Sequence, residues 1–296
     1  MQNISYARQT RYHKAPAEGS TMTKPPTMRQ QTRTTRPNRP PQPAPTAPAP
    51  AESHLQSFAS LCGTLVTGLF VLTFVFQNFA IPSASMASTL LVGDHVLADR
   101  VSLAPPASGP RLIPYRPLRR GEPVVFFKPL LEPDGTNLIL VKRVVGVPGD
   151  RIHLRDGVLY LNGVAQTEPH ATQPTALNLN PYRDNFPAVS PQGVPGVTAT
   201  WALDLPAHIQ NGDLVVPPDS YFVMGDNRVH SLDGRYWGFV PRSSLIGRPL
   251  FIYWSFETPG DQMDKTSLAD EASFALHQLT HFVTETRWSR TLQPIP

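Results

Sequence analysis

Two serines, Ser83 and Ser85, stand two apart in "IPSASMASTL", directly after the longest apolar run of the chain. A serine hydroxyl is a weak nucleophile until a base takes its proton, so chemistry at this stretch requires a base elsewhere. Among nine histidines none has an evident acidic orienter or metal-type spacing, and no HExxH, GxSxG or phosphate-binding glycine loop is present. A Ser-His-Asp triad assembled from distant residues stays open. Lysine offers a sharper candidate, because after Lys24 the chain carries only Lys128, Lys142 and Lys265. Lys142 lies in "NLILVKRVVGVPGD", where strand alternation puts it on one face with Leu140 and Val144 and turns Arg143 the other way. Burial on an apolar face would lower its pKa, and a neutral amine there can take a proton from a serine. Alternatively, this is an edge strand with both basic side chains in solvent, and the stretch taken alone leans that way. A third piece, "MGDNRVHSLDGRYWGFVP", alternates Ser231, Asp233 and Arg235, so one extended segment would present all three on one side as rigid support for a site. The same residues would also make a well-bonded surface turn.

The elements that must position these residues follow from pattern. "SFASLCGTLVTGLFVLTFVFQNFAI", residues 57–81, has no charge or proline from Phe58 to Phe76. At about 1.5 Å per residue it is long enough to cross about 30 Å of hydrocarbon as a helix. It starts too late and runs too long for a cleavable signal peptide, and it lacks the polar face of a buried soluble helix. Before it, residues 1–56 are rich in Pro, Thr, Ala and Arg and carry eight basic residues against Glu18 and Glu52. Such a segment buries too little apolar surface to offset its ordering entropy and is expected to be a disordered, partly polyproline-II arm. Basic residues ahead of a membrane helix set orientation, which places the N-terminus in the cytoplasm and the chain after Pro82 outside the cell membrane.

Beyond Pro82 the strands dominate. "DHVLADRV", "EPVVFFK", "LILVKRVVGV", "SYFVMGD" and "PLFIYWSF" read as strands, and Asp156-Gly157 joins the hairpin of "RIHLRDGVLYLNGVA". The fold class is therefore mainly β, in one domain over 82–257. Residues 166–212 dissolve into Pro, Asn, Thr and Gly and suggest an insertion carrying little core. Residues 258–296 form a C-terminal extension with an amphipathic spacing at Leu268, Phe274, Leu276, Leu279 and Phe282, suited to lie on the domain or on the bilayer. The single cysteine, Cys62, sits in the apolar run and excludes a disulfide framework or a cysteine metal site.

Taken in order, "IPSASMASTLLVGD", "RRGEPVVFFKP", "VKRVVGVPGD" and "VMGDNRVHSLDGRYWGFVP", behind one membrane helix, resemble bacterial type I signal peptidase, over residues 60–165 and 214–256. That resemblance implies a catalytic domain of coiled antiparallel sheets and a membrane-bound serine endopeptidase that removes signal peptides from exported preproteins, without cofactor or metal. It implies Ser85 as nucleophile, Lys142 as general base and later acid, and Ser83 as an oxyanion donor beside the Ser85 amide. Ser231 would orient the lysine, and Asp233 with Arg235 would support it. Ile81, Pro82, Met86, Leu90, Leu140 and Val141 fall where the family lines shallow pockets for small residues at positions −1 and −3 of the signal peptide. The implied partners are these preproteins, the bilayer and a nearby export translocon, with no nucleic acid. The family pattern is broken at two places: Val229-His230 replaces a usual Asp-Asn pair, and Gly234 replaces a serine. Two alternatives remain: an inactive binding ectodomain of the same fold, and a self-cleaving Ser-Lys repressor, against which the membrane helix and the lack of a helix-turn-helix both count.

Overall fold

The computed structural model describes residues 54–103, 115–132, 134–260, 262, 265 and 267–296, so the expected arm lies outside the described residues up to His54. The apolar run divides into a helix and a strand. Helix α1 (His54–Phe74) has no buried residue and is long and apolar enough to cross a membrane. Its exit is immediate: Arg100 N–H donates to Val75 O at 3.0 Å, and β1 (Phe76–Ala80) begins one residue later. The expected span of 57–81 therefore starts three residues earlier and ends at residue 74, because its last residues pair with a neighbouring strand instead of extending the helix.

The strands that follow are β2 (Asp94–Asp99), β3 (Pro123–Phe127), β4 (Ile139–Gly146), β5 (Arg151–Arg155), β6 (Val158–Leu161) and β7 (Val164–Ala165). After the short helices α2 (Pro181–Asp184) and α3 (Ala199–Asp204) come β8 (Ile209–Gln210), β9 (Asp213–Val215) and β10 (Ser220–Met224). Helix α4 (Gly234–Trp237), β11 (Val240–Pro241), β12 (Leu245–Ser255), α5 (Leu268–Thr280), α6 (Phe282–Glu285) and β13 (Gln293–Pro294) complete the chain. The larger sheet runs β1-β2-β12-β3-β4-β10-β11, with β13 also on β12, and the smaller runs β7-β6-β5-β9-β8. Every pairing within these sheets is antiparallel. The long β12 pairs first with β3 and then with β2, shifting register after Leu245, Pro249 and Ile252, and such bulges curl a sheet. Asp156 and Gly157, at φ 49° and 83°, make the β5–β6 turn as their types require.

The main core joins both sheets through Val124, Phe126, Val144, Ile152, Leu154, Phe222 and Met224. The expectation of little core in residues 166–212 is corrected here: Tyr182, Phe186, Trp201 and Leu205 of that segment are buried in the same cluster. A few large side chains set between turn formers anchor a loop-rich segment as firmly as a periodic strand does. Arg183 and Asp184 pair beneath them at 2.7 Å. The extension is also stitched to the fold. Arg290 Nη2 meets the buried Asp94 carboxylate at 2.5 Å, and β13 adds to β12.

Candidate active site

The serine-bearing stretch leaves β1 at Ile81 and turns through a single 3₁₀ turn, Ala84–Met86, in which Ser85 and Met86 are buried. Two bonds from one loop hold this turn, and a third ties the same loop to the chain just after it. Asn227 N–H donates to Ser85 O at 3.0 Å, Asn227 Nδ2 donates to Ala84 O at 3.1 Å, and Thr89 Oγ1 donates to Asp226 Oδ2 at 2.6 Å. Asp226 in turn accepts Arg143 Nε and Nη2, each at 2.7 Å. Both members of that pair are buried, so it is a fixed strut between β4 and the loop.

Lys142 sits on β4 between β3 and β10, and is 3% exposed. The edge-strand alternative is thereby overturned: β4 is interior, and both Lys142 and Arg143 are buried. They part as alternation demands, Arg143 toward Asp226 and Lys142 toward the serine. Lys142 Nζ and Ser85 Oγ are hydrogen-bonded, and Ser83 Oγ lies 3.3 Å from Ser85 Oγ. Among the described residues no carboxylate comes within ion-pair distance of Lys142. Burial lowers its pKa to about 8; the charges of Asp233 and Asp226 pull it back up, and that of Arg235 presses it down. The amine is thus held near the pH at which a base can act.

Ser231, Asp233 and Arg235 do not lie on one extended segment. A 3₁₀ turn, Arg228–His230, precedes Ser231, and Asp233 caps α4, accepting the Arg235 amide at 3.2 Å. The turn-rich composition prevails over the alternation. The pair itself is as expected: Arg235 Nε and Nη2 donate to Asp233 at 2.9 and 2.8 Å, and both residues are 0% exposed. Burial alone would raise the Asp233 carboxyl, yet Arg235, the Gly225 amide and Lys142 together hold it below the usual carboxylate range. Ser231 Oγ is buried and makes no hydrogen bond within the protein. It nevertheless abuts the serine turn. A Cβ placed on Gly225 would lie 2.3 Å from Ser231 Oγ and 2.5 Å from Ser85 O. Gly234, one of the two departures, is packed too: a Cβ there would meet Val223 O at 2.8 Å.

Beside the two serines lies a cleft of about 100 Å³. Of the expected pocket residues, Ile81, Pro82, Met86, Leu140 and Val141 line it, while Leu90 is withdrawn into the core with Val96 and Ile252. Phe79, Ala80 and Ile139 line it as well, though nothing in the sequence singles them out. Arg143, Asp226 and Asn227 are further residues unassigned from sequence, and their signal is only that they neighbour Lys142 and open the "GDNR" block. The segment 166–212 reaches the residues that support the site. Trp201 Nε1 donates to the Arg235 carbonyl at 3.0 Å, and the Tyr182 hydroxyl donates to the same oxygen. The histidines also need correction. His277, His281 and Glu285, which show no recognised motif, bring their ligand atoms within 4.8 Å of one another.

A buried hydroxyl facing a desolvated amine at the mouth of a small apolar cleft is the arrangement of a serine hydrolase. Comparison with known proteins narrows that class. Residues 54–254 match the family described as signal peptidase, peptidase S26. Signal peptidase I of Bacillus caldolyticus is 32% identical over 200 residues, covering 68% of this chain and 89% of its own. Probable signal peptidase I-2 of Synechocystis is 29% identical over 207 residues, covering 69% and 75%. A crystal structure of a signal peptidase I from Enterococcus faecalis V583 is 29% identical over 45% of this chain and 97% of that one, with a TM-score of 0.28, too low to bear on the fold. The chain belongs to the signal peptidase family, peptidase S26, and is a serine endopeptidase of that family.

Proposed function

We propose that this chain is a single-pass membrane enzyme that cuts signal peptides from exported preproteins with a Ser85–Lys142 dyad. The observation that carries the proposal is the hydrogen bond between Lys142 Nζ and Ser85 Oγ, both buried, beside the cleft. Ser85 Oγ attacks the scissile carbonyl carbon while neutral Lys142 takes its proton. The carbonyl becomes an oxyanion, held by the Ser83 hydroxyl and the Ser85 backbone N–H. On collapse the C–N bond breaks, Lys142 returns the proton to the leaving amine, and an acyl-enzyme ester on Ser85 remains. Water then attacks the ester as Lys142 takes its proton and restores the serine. Ser231, Asp233 and Arg235 keep the amine in place. A cleft of about 100 Å³ suits methyl-sized side chains, which accounts for small residues at −1 and −3 of the substrate.

Helix α1 serves as the anchor, since a 21-residue, mostly apolar helix without Asp, Glu, Lys or Arg and with no buried residue finds its stable surroundings in lipid. The basic arm ahead of His54 is cytoplasmic, and the peptidase domain from Pro82 to residue 257 stands on the opposite face. Ser85 lies eleven residues past the helix end, near the interface where a signal peptide leaves the bilayer and beside the export translocon. The test is cleavage of a preprotein bearing Ala-x-Ala by the full chain in detergent, with sequencing of the new N-terminus. Release after the second alanine is expected; no cleavage by folded protein, or a cut elsewhere, overturns the proposal.

A further inference from the structure

The C-terminal extension brings together a second set of chemically active side chains, and they share no residue with the cleft. His277, His281 and Glu285 are spaced four apart, which on a helix puts them on one stripe. Helix α5 stops at Thr280 and His281 forms the junction to α6, yet the stripe survives the junction. His277 Nε2 lies 2.7 Å from Glu285 Oε2, and the rings of His277 and His281 stack with centroids 4.2 Å apart. The three ligand atoms lie within 4.8 Å of one another.

We propose that His277, His281 and Glu285 form a binding site for a divalent transition metal of the zinc type, with water completing four-coordination. Two imidazoles and one carboxylate are a regular zinc set, with bonds of about 2.0–2.2 Å and ligand atoms therefore about 3.3 Å apart. The 2.7 Å contact must open slightly and the longest separation close. His281 is exposed, which leaves room for that adjustment. His281 Nδ1 lies 2.9 Å from Thr280 Oγ1 and 3.1 Å from the His277 carbonyl, and donation from Nδ1 to either oxygen leaves the other ring nitrogen with its lone pair, as second-shell acceptors do for ligating imidazoles. Neither imidazole nor carboxylate gives a soft site, and a set of two nitrogens and one oxygen favours zinc over calcium or magnesium.

The place of the site shows what the metal would do. Glu285 is tied to the end of the sheet, because Glu257 N–H donates to Glu285 O at 3.0 Å and Phe256 bridges to Thr286. Helix α5 is held far less. Leu268 and Leu279 are 83% and 77% exposed, and its ring contacts to the domain are those of Phe274 and His277 with Phe256. A metal on His277, His281 and Glu285 would clamp α5 to the anchored α6.

The probe is Zn²⁺ alone, titrated calorimetrically into the chelator-stripped full chain, without a histidine tag, in detergent. The expected result is one ion per chain at micromolar affinity. Replacing a ligand should weaken binding by more than the 10–100-fold typical of outer-shell changes, both in His281→Ala and in Glu285→Gln, while Cys62→Ser leaves it unchanged. Zn²⁺ should also slow proteolytic release of α5 in the wild type and not in His281→Ala. Glu285→Gln keeps the side chain's shape, so it decides the matter if His281→Ala is misfolded. No saturable binding below about 1 mM, or binding by both variants as tight as by the wild type, overturns the proposal.

Discussion

Gly225→Ala isolates the packing that holds Ser85, the proposed nucleophile. Its Cβ would lie 2.3 and 2.5 Å from Ser231 Oγ and Cβ, and 2.5 Å from Ser85 O. Ordinary contact begins near 3.4 Å, so something must retreat by about 1 Å. Ser85 O cannot move alone, because Asn227 N–H holds it at 3.0 Å. The serine turn with its loop partner, or Ser231, must therefore shift relative to a lysine fixed on an interior strand. Overpacking of this kind destabilises by about 1–3 kcal/mol, which is roughly 2–4 °C of Tm per kcal/mol for a domain of this size. Activity should suffer more, since a misplacement of about 1 Å costs on the order of 10²-fold. The assay is kcat/KM on a signal-peptide substrate in detergent, alongside thermal unfolding. A variant within about threefold of wild type with unchanged Tm would refute the claim that Gly225 fits Ser231 against the Ser85 turn.

With Lys142 near pH 8, the neutral amine is about a tenth of the population at pH 7 and about nine-tenths at pH 9. The kcat/KM profile should rise about tenfold between those values, whereas a midpoint near that of a free lysine would contradict the assignment. The same shift sets a stability window. Below pH 8 both states hold the proton and the folded state carries the full burial penalty. Between pH 8 and about 10.4 only the unfolded state keeps it, so this group's contribution becomes more favourable as pH rises, measurable by denaturant titration. Ser231→Ala removes a buried hydroxyl that has no partner, so stability should hold or improve; kcat should still fall at least about tenfold if the hydroxyl steadies the amine, and unchanged kcat denies it that role. Ser83→Ala should lower kcat by about 10²–10³ with an unaltered unfolding curve. Asp233→Asn strands the fully buried Arg235 and should destabilise by about 3–5 kcal/mol in chemical unfolding; a loss under about 1 kcal/mol contradicts the buried-pair account.

Much of the fold was legible because strands carry local signals. The alternation of Asp94–Asp99 and the Asp156-Gly157 turn are readable without any partner. What was hidden depends on partners distant in sequence. Whether Phe76–Ala80 continues a helix or forms a strand is decided by β2, and the apolar run alone does not carry that information. Residues 166–212 have no periodicity, yet Trp201 and Tyr182 reach the Arg235 carbonyl from there. Lys142 was ambiguous for the same reason, since interior or edge is a property of the sheet. Arg143 and Asp226, 83 residues apart, meet only through topology.

The central claim rests on two side chains. Wild type, Ser85→Ala and Lys142→Met should be compared in single-turnover cleavage of one preprotein, with thermal unfolding as a check that all three are folded. The account predicts cleavage after the second alanine by wild type alone, with both variants at background. Cleavage at the same bond by either folded variant would contradict it.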